Sequence, residues 1–173
     1  MNISIRTPAL SMQADGYFIK NPQQTKNAHT ITDVKNAVDV LKLTNDSLIS
    51  DLKELIRGVD FTSISTNELA RIGGELGRMG LVDKDVACSF ISGNMAFDKF
   101  GQQAEKDVKY NAVAMFDEML EDNKAYARTW PMYADQESFK LVTMALLGAN
   151  RTINALSYFA HSAENDLTIS IKV

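Results

Sequence analysis

Ile64-Ser65-Thr66-Asn67-Glu68-Leu69 is the stretch on which the fold class turns. Ser65 with Glu68 three residues on is a capping box: the hydroxyl accepts from an N–H of the first helical turn, and the carboxylate reaches back to the Ser65 N–H. Ile64 and Leu69 bracket the box as a hydrophobic staple. A cap of this kind is worth about 1 kcal/mol. The helix it opens carries Leu69, Ile72, Leu76 and Met79 on one face, and Gly80 ends it. Gly73, Gly74 and Gly77 lie inside, each costing about 1 kcal/mol relative to Ala. Close approach of another helix is the favoured reading, ahead of close approach of a ligand and of a segment meant to be labile. A phosphate-cradling loop fails, because no strand precedes the glycines and their spacing fits neither nucleotide-binding fingerprint.

Helical signals continue on both sides. Asp83 caps a short helix with Val86, Ala87, Phe90 and Ile91, closed by Gly93. A longer helix is predicted from roughly Ala104 to Ala125, with Val108, Ala112, Met115 and Met119 inward. Trp130-Pro131 breaks the chain, since the residue before proline is pushed out of the helical region. Asp135 opens the last helix, whose stripe is Phe139, Val142, Leu146, Ala149, Ile153, Leu156 and Ala160. Toward the N-terminus, Thr32 to Arg57 carries Val34, Val38, Leu41, Leu48, Leu52 and Leu55 in steps of three and four, with Asn45 in the remaining slot and Gly58 as the stop. The fold class is mainly α: an irregular bundle of about five helices, the first, fourth and fifth being longest.

The two ends of the chain follow a different period. Met1, Ile3 and Ile5 alternate with polar residues, and so do Leu167, Ile169, Ile171 and Val173. Alternation of this kind marks half-buried strands. The expectation is a small two-stranded β ribbon formed by the chain termini and laid on the bundle. Residues 1–30 then form an N-terminal arm with a short strand, and residues 31–173 a helical bundle domain ending in a C-terminal strand.

The run from Phe61 to Leu69, continuing to Leu76, Gly80 and Leu81, resembles a segment of small uncharacterised bacterial helical proteins, in which a Ser-x-x-Glu-Leu capped helix is followed by a Gly-hydrophobic turn. The likeness covers about twenty residues and consists of capping and turn grammar shared by many helices. The internal glycines depart from it. It implies a bacterial origin and no activity.

Composition excludes several function classes. The chain has 173 residues, 45% hydrophobic and 23% charged, which is globular usage with enough length for a core. A formal net charge of −4 and no Lys/Arg cluster argue against nucleic acid. One cysteine, Cys88, permits no intramolecular disulfide and suits a reducing compartment. No apolar run approaches the ~20 residues of a membrane helix, and the first thirty residues lack a signal-peptide core. A cytoplasmic protein that does not bind membrane is the default expectation.

Each candidate site has a plain alternative. Asn45 would be an a position with Leu at d, a device that fixes helix register in a dimer; against this, Val40, Leu43, Ile49 and Ile56 widen the stripe as in a monomeric bundle. A break at Thr44-Asn45-Asp46-Ser47, with Ser47 capping a second helix, also fits. Asp117, Glu118, Glu121 and Asp122 place four carboxylates within two turns, but His29 and His161 stand in no Glu-x-x-His repeat, so a solvated acidic face is favoured over metal. Asp83 and Asp85 have the start of a calcium-binding helix–loop–helix without its spaced ligands or closing Glu. Cys88, beside Ala87, Phe90 and Ile91, reads as a buried small hydrophobe, and His161 as a helix-end cation.

No catalytic, cofactor-binding or metal residue is thereby named, and no cofactor is implied. The function expected is a non-enzymatic helical interaction module that self-associates or binds a protein partner. Its candidate interaction residues are Asn45, Leu48, Leu52, Gly73, Gly77, Ile169 and Ile171. The alternatives are cargo or effector of a specialised bacterial secretion system, addressed by the polar arm, and an enzyme whose site is scattered over the bundle.

Overall fold

A computed structural model describes residues 28–163. The chain builds α1 (Val34–Val40), α2 (Asp46–Leu55), β1 (Ile64–Ser65), α3 (Thr66–Arg78), α4 (Lys84–Ser92), β2 (Lys109–Tyr110), α5 (Ala112–Thr129), α6 (Pro131–Ala134) and α7 (Glu137–Ala163). It is mainly helical, with seven helices among the described residues and one small antiparallel sheet.

The helix expected over 32–57 is two helices. Lys42 takes a left-handed conformation (φ 51°) just past α1, and Asn45 opens α2, its Oδ1 accepting from Leu48 N at 2.9 Å. Asn45 therefore is an N-cap and not a heptad a position, and the cap is Asn45 rather than Ser47. The apolar spacing runs unbroken because both short helices turn the same kind of face inward, which periodicity alone cannot separate from one long helix.

The capping box forms as the sequence dictates. Ser65 N donates to Glu68 Oε2 at 2.8 Å and Glu68 N to Ser65 Oγ at 3.3 Å. Those hydrogen bonds from Ser65, backbone first, hold the Glu68 carboxyl below its usual range. Ile64 and Leu69 are both buried.

The sheet joins loops, not chain ends. Ile64 pairs with Tyr110 and Ser65 with Lys109, flanked by Asn67 N to Lys106 O and Ala112 N to Phe61 O, each 3.0 Å. Two helix–loop–helix units, α2–α3 and α4–α5, are thus tied at their loops. Two residues a side are too few for alternation to register as a strand. The proposed terminal strands, Ile169 and Ile171 included, lie outside the described residues.

The predicted fourth helix starts later than expected. Asn111 caps α5, its Oδ1 accepting from Ala114 N at 2.9 Å, and Val108 lies before the helix and exposed rather than in the core. Trp130 ends α5 and Pro131 begins α6, as proline at a first helical position allows. Asp135 follows α6 and does not cap α7. The longest helices are α7, at 27 residues, and α5, at 18.

The core gathers Leu41, Leu52, Ile56, Phe61, Leu69, Ile72, Leu76, Phe90, Phe116, Ile153, Leu156 and Phe159. The Phe90 and Phe116 rings meet tilted, with centroids 5.2 Å apart, and join α4 to α5. A Cβ on Gly73 would overlap Phe90 Cβ, and one on Gly77 would come 3.3 Å from that of Ala87. These glycines are where α3 meets α4. Gly93 (φ 54°) is a second tight point, since a Cβ there would come 2.7 Å from Thr66 Cγ2 and 2.8 Å from Tyr110 Oη. Burial pushes the Tyr110 hydroxyl above its usual range.

Candidate interaction surface at the tip of the long hairpin

Helix α7 outlasts the core it builds. Ala149, Ile153 and Leu156 of its apolar stripe are wholly buried, whereas Val142, on the same stripe toward the N-terminal end, is 51% exposed. The stripe runs the full length of α7, and at its first turns α5 meets Phe139 and Thr143 while Val142 is left open. Off that stripe Leu141 (50%) and Met144 (69%) are exposed as well, as are Trp130 (52%) and Met132 (71%) at the α5–α6 corner.

The tip is braced. Tyr126 lies 5.7 Å from Tyr133 and 6.1 Å from Phe139, centroid to centroid. The Thr143 hydroxyl donates to Asn123 Oδ1 at 2.7 Å, and further along Asn150 Nδ2 donates to Asp117 Oδ1 at 3.2 Å. Asn154 Nδ2 in turn donates to the Asn150 carbonyl and Oδ1 at 2.8 and 2.9 Å. This polar ladder fixes α7 against α5 in one register, because a slip would leave buried amides unpaired. The exposed apolar groups therefore stand on a rigid base.

The residues singled out from sequence are dispersed. Asn45 is an exposed cap, Leu48 is half-buried, and Leu52 is fully buried on α2. Gly73 and Gly77 face α4 within the chain. No shared surface among the described residues brings these five together at the tip. Asp117, Glu118, Glu121 and Asp122 are divided: Asp117 holds Asn150, Glu121 holds Lys124 at 2.8 Å, and the others point outward. Among the described residues no group of three or more His, Cys, Asp or Glu side chains is placed to hold a metal.

Asp83 ends the turn between α3 and α4, where it pairs with Lys42 at 3.0 Å, and Asp85 lies in the first turn of α4. The longer α2–α3 loop does close on a Glu, Glu68. Counting back twelve positions from it puts Arg57, Val59 and Phe61 where a calcium loop needs its first three acidic ligands. The donor set is wrong for calcium. Cys88 is exposed, not buried, and its thiol makes no hydrogen bond among the described residues.

Two other surfaces are weaker candidates. A cleft of about 360 Å³ lies between the end of α1, the α3–α4 turn and α7, and its charges include the neutralised Lys42–Asp83 pair. Phe97 and Phe100 are exposed on the α4–α5 loop, where Lys99 lies 5.0 Å from the Phe100 centroid. That patch is interrupted by charges and rests on a loop. The tip combines Trp, Tyr and Met on helices, the composition enriched at protein contacts.

No family model, curated protein or solved structure matches the chain. No helix among the described residues is long and apolar enough to cross a membrane.

The tip is invisible to sequence for a simple reason. Phe139, Val142 and Leu146 read as one apolar face, but periodicity reports which face is apolar and not what covers it.

Proposed function

We propose that this chain is a non-enzymatic protein-interaction module, a helical bundle whose contact surface is the tip of the α5–α7 hairpin. The observation that supports it most is the run of Trp130, Met132, Leu141, Val142 and Met144, all at least half exposed on a braced helical frame. Scattered exposed apolar residues need no explanation, but five within fifteen residues of chain, with a large aromatic side chain and adaptable methionines among them, have the makeup of a contact surface. Residue types that perform chemistry are not gathered there. The alternating segments Met1–Arg6 and Leu167–Val173 enter this proposal as strands whose edges a partner could extend.

Photocrosslinking in the cell of origin tests the reading. With a photoreactive benzoylphenylalanine in place of Met132, a discrete crosslinked species is expected, and Met144→Glu in the same chain should remove it. No discrete species, or one indifferent to Met144→Glu, would overturn the tip as a contact surface.

A further inference from the structure

We infer that the cleft between the end of α1, the α3–α4 turn and α7 binds a small organic carboxylate, its charged end at the start of α4 and its apolar body on the cleft wall. This site is separate from the tip and does not rest on it.

The start of α4 lacks its usual acceptor. Asp83 is the N-cap of this nine-residue helix, but its side chain accepts nothing from the first turn. Its Oδ1 takes the Lys42 ammonium at 3.0 Å instead. The backbone N–H groups of Lys84, Asp85 and Val86 are left with no acceptor among the described residues. Open donors and the positive end of the helix dipole together favour an anion.

A second donor comes from α7. Thr152 is only 3% exposed, yet its hydroxyl makes no hydrogen bond among the described residues. Thr143 on the same helix, by contrast, donates to the Phe139 carbonyl one turn back at 2.9 Å. The Thr152 hydroxyl is not sealed in the interior either, and the cleft is the opening that Thr152 lines, with Asp83 and Val86 on the α4 side. A buried hydroxyl without a partner is costly, and a ligand oxygen in the cleft relieves it. Gly148 lets the two donors share one cleft. A Cβ there would come 2.5 Å from Val86 Cγ2, so a larger residue would push the first turn of α4 away from α7.

Charge and wall select the ligand class. Arg151 and Asp39 line the cleft with no ion pair among the described residues, while Lys42 and Asp83 neutralise each other. The Arg151 guanidinium offers a planar fork suited to a carboxylate. Two carboxylates in the same cleft disfavour a doubly charged phosphate, whereas one negative charge is matched by Arg151. Val40 and Val82 add apolar wall, and about 360 Å³ suits a small molecule rather than a protein chain.

NMR on the nitrogen-labelled full chain tests the proposal, with N-acetyl-leucine as the probe. Saturable shifts are expected at the amides of Lys84, Asp85 and Val86, with a dissociation constant of about 1 mM for a ligand of this size. N-acetyl-leucinamide, which keeps the body and loses the charge, should leave those amides unmoved. Arg151→Gln should weaken binding by about tenfold and Thr152→Val by about fivefold, as loss of hydrogen bonds to a charged group. Thr152→Val should leave the thermal midpoint unchanged, because its hydroxyl holds nothing in the free chain; a purely structural threonine would lower it. Arg151 is exposed, so Arg151→Gln tests the site even if the threonine variant unfolds. The absence of saturable shifts at tens of millimolar overturns the proposal, as does an equal response to the amide or binding indifferent to Arg151→Gln. A stronger response to inorganic phosphate overturns the carboxylate class.

Discussion

Gly73→Ala is expected to destabilise the chain, although the same change would favour an isolated helix by about 1 kcal/mol. The sign is decided by what surrounds the position. A Cβ on Gly73 would overlap Phe90 Cβ and lie 3.2 Å from the Ala87 carbonyl oxygen. Neither obstacle is the free end of a flexible side chain, so α3 and α4 would have to separate. Forcing a methyl group into such a contact costs on the order of 1–3 kcal/mol and sometimes more. Its neighbour supplies the control. Gly74 is exposed, and a methyl group added there would meet nothing within 4 Å, so Gly74→Ala should stabilise by up to about 1 kcal/mol. Denaturant midpoints of the two variants should move in opposite directions. If both rise, α3 does not pack on α4 through Gly73. Shrinking Phe90 to Ala should not rescue Gly73→Ala, since the obstructing Cβ is retained.

Phe90→Ala alone should cost about 3–5 kcal/mol, the range for removing a buried aromatic side chain. Phe90 is wholly buried, meets Phe116 at 5.2 Å, and lies over Gly73. It therefore joins three helices, α3, α4 and α5, and its loss leaves a void that none of them can close without giving up a neighbour. Thermal unfolding followed by circular dichroism should show Tm lower by on the order of 10 °C, given ~2–4 °C per kcal/mol for a chain of this size. A loss below about 1 kcal/mol would mean that the α4–α5 contact is not part of the core.

Much of this architecture is legible in sequence because local chemistry and tertiary structure agree. At Ser65 and Glu68 the cap residues serve the helix and need no partner from elsewhere, so the start of α3 can be read from six residues. Trp130-Pro131 is similar, since proline removes a donor whatever surrounds it. Where sequence and structure part, the opposite holds. Asn45 fits a heptad slot and a cap equally well, and only the backbone turn at Lys42 chooses between them. Val108 has the apolarity of a helix face but precedes the Asn111 cap by three residues. The β1–β2 pairing depends on two loops more than forty residues apart in sequence, and each contributes a segment too short to carry a period.

The candidate site is less legible than the fold. Sequence says that Val142 and Ile153 share a stripe, but not that one is open and the other buried. Ile153 lies within the core, whereas the first turns of α7 are met by α5 at Phe139 and Thr143 and leave Val142 open. Trp130 and Met132 are exposed as well, because the α5–α7 corner lies past the end of the core.

The most direct measurement uses Trp130, the chain's single tryptophan. Its emission and collisional quenching report on the tip and on nothing else. The dilute, unassembled chain should show a solvent-exposed indole, freely quenched by acrylamide. In the assembled form, whether it contains a second copy or another protein, emission should move to shorter wavelength and quenching should fall. Assembly that leaves Trp130 as accessible as in the free chain would contradict the tip as the contact surface.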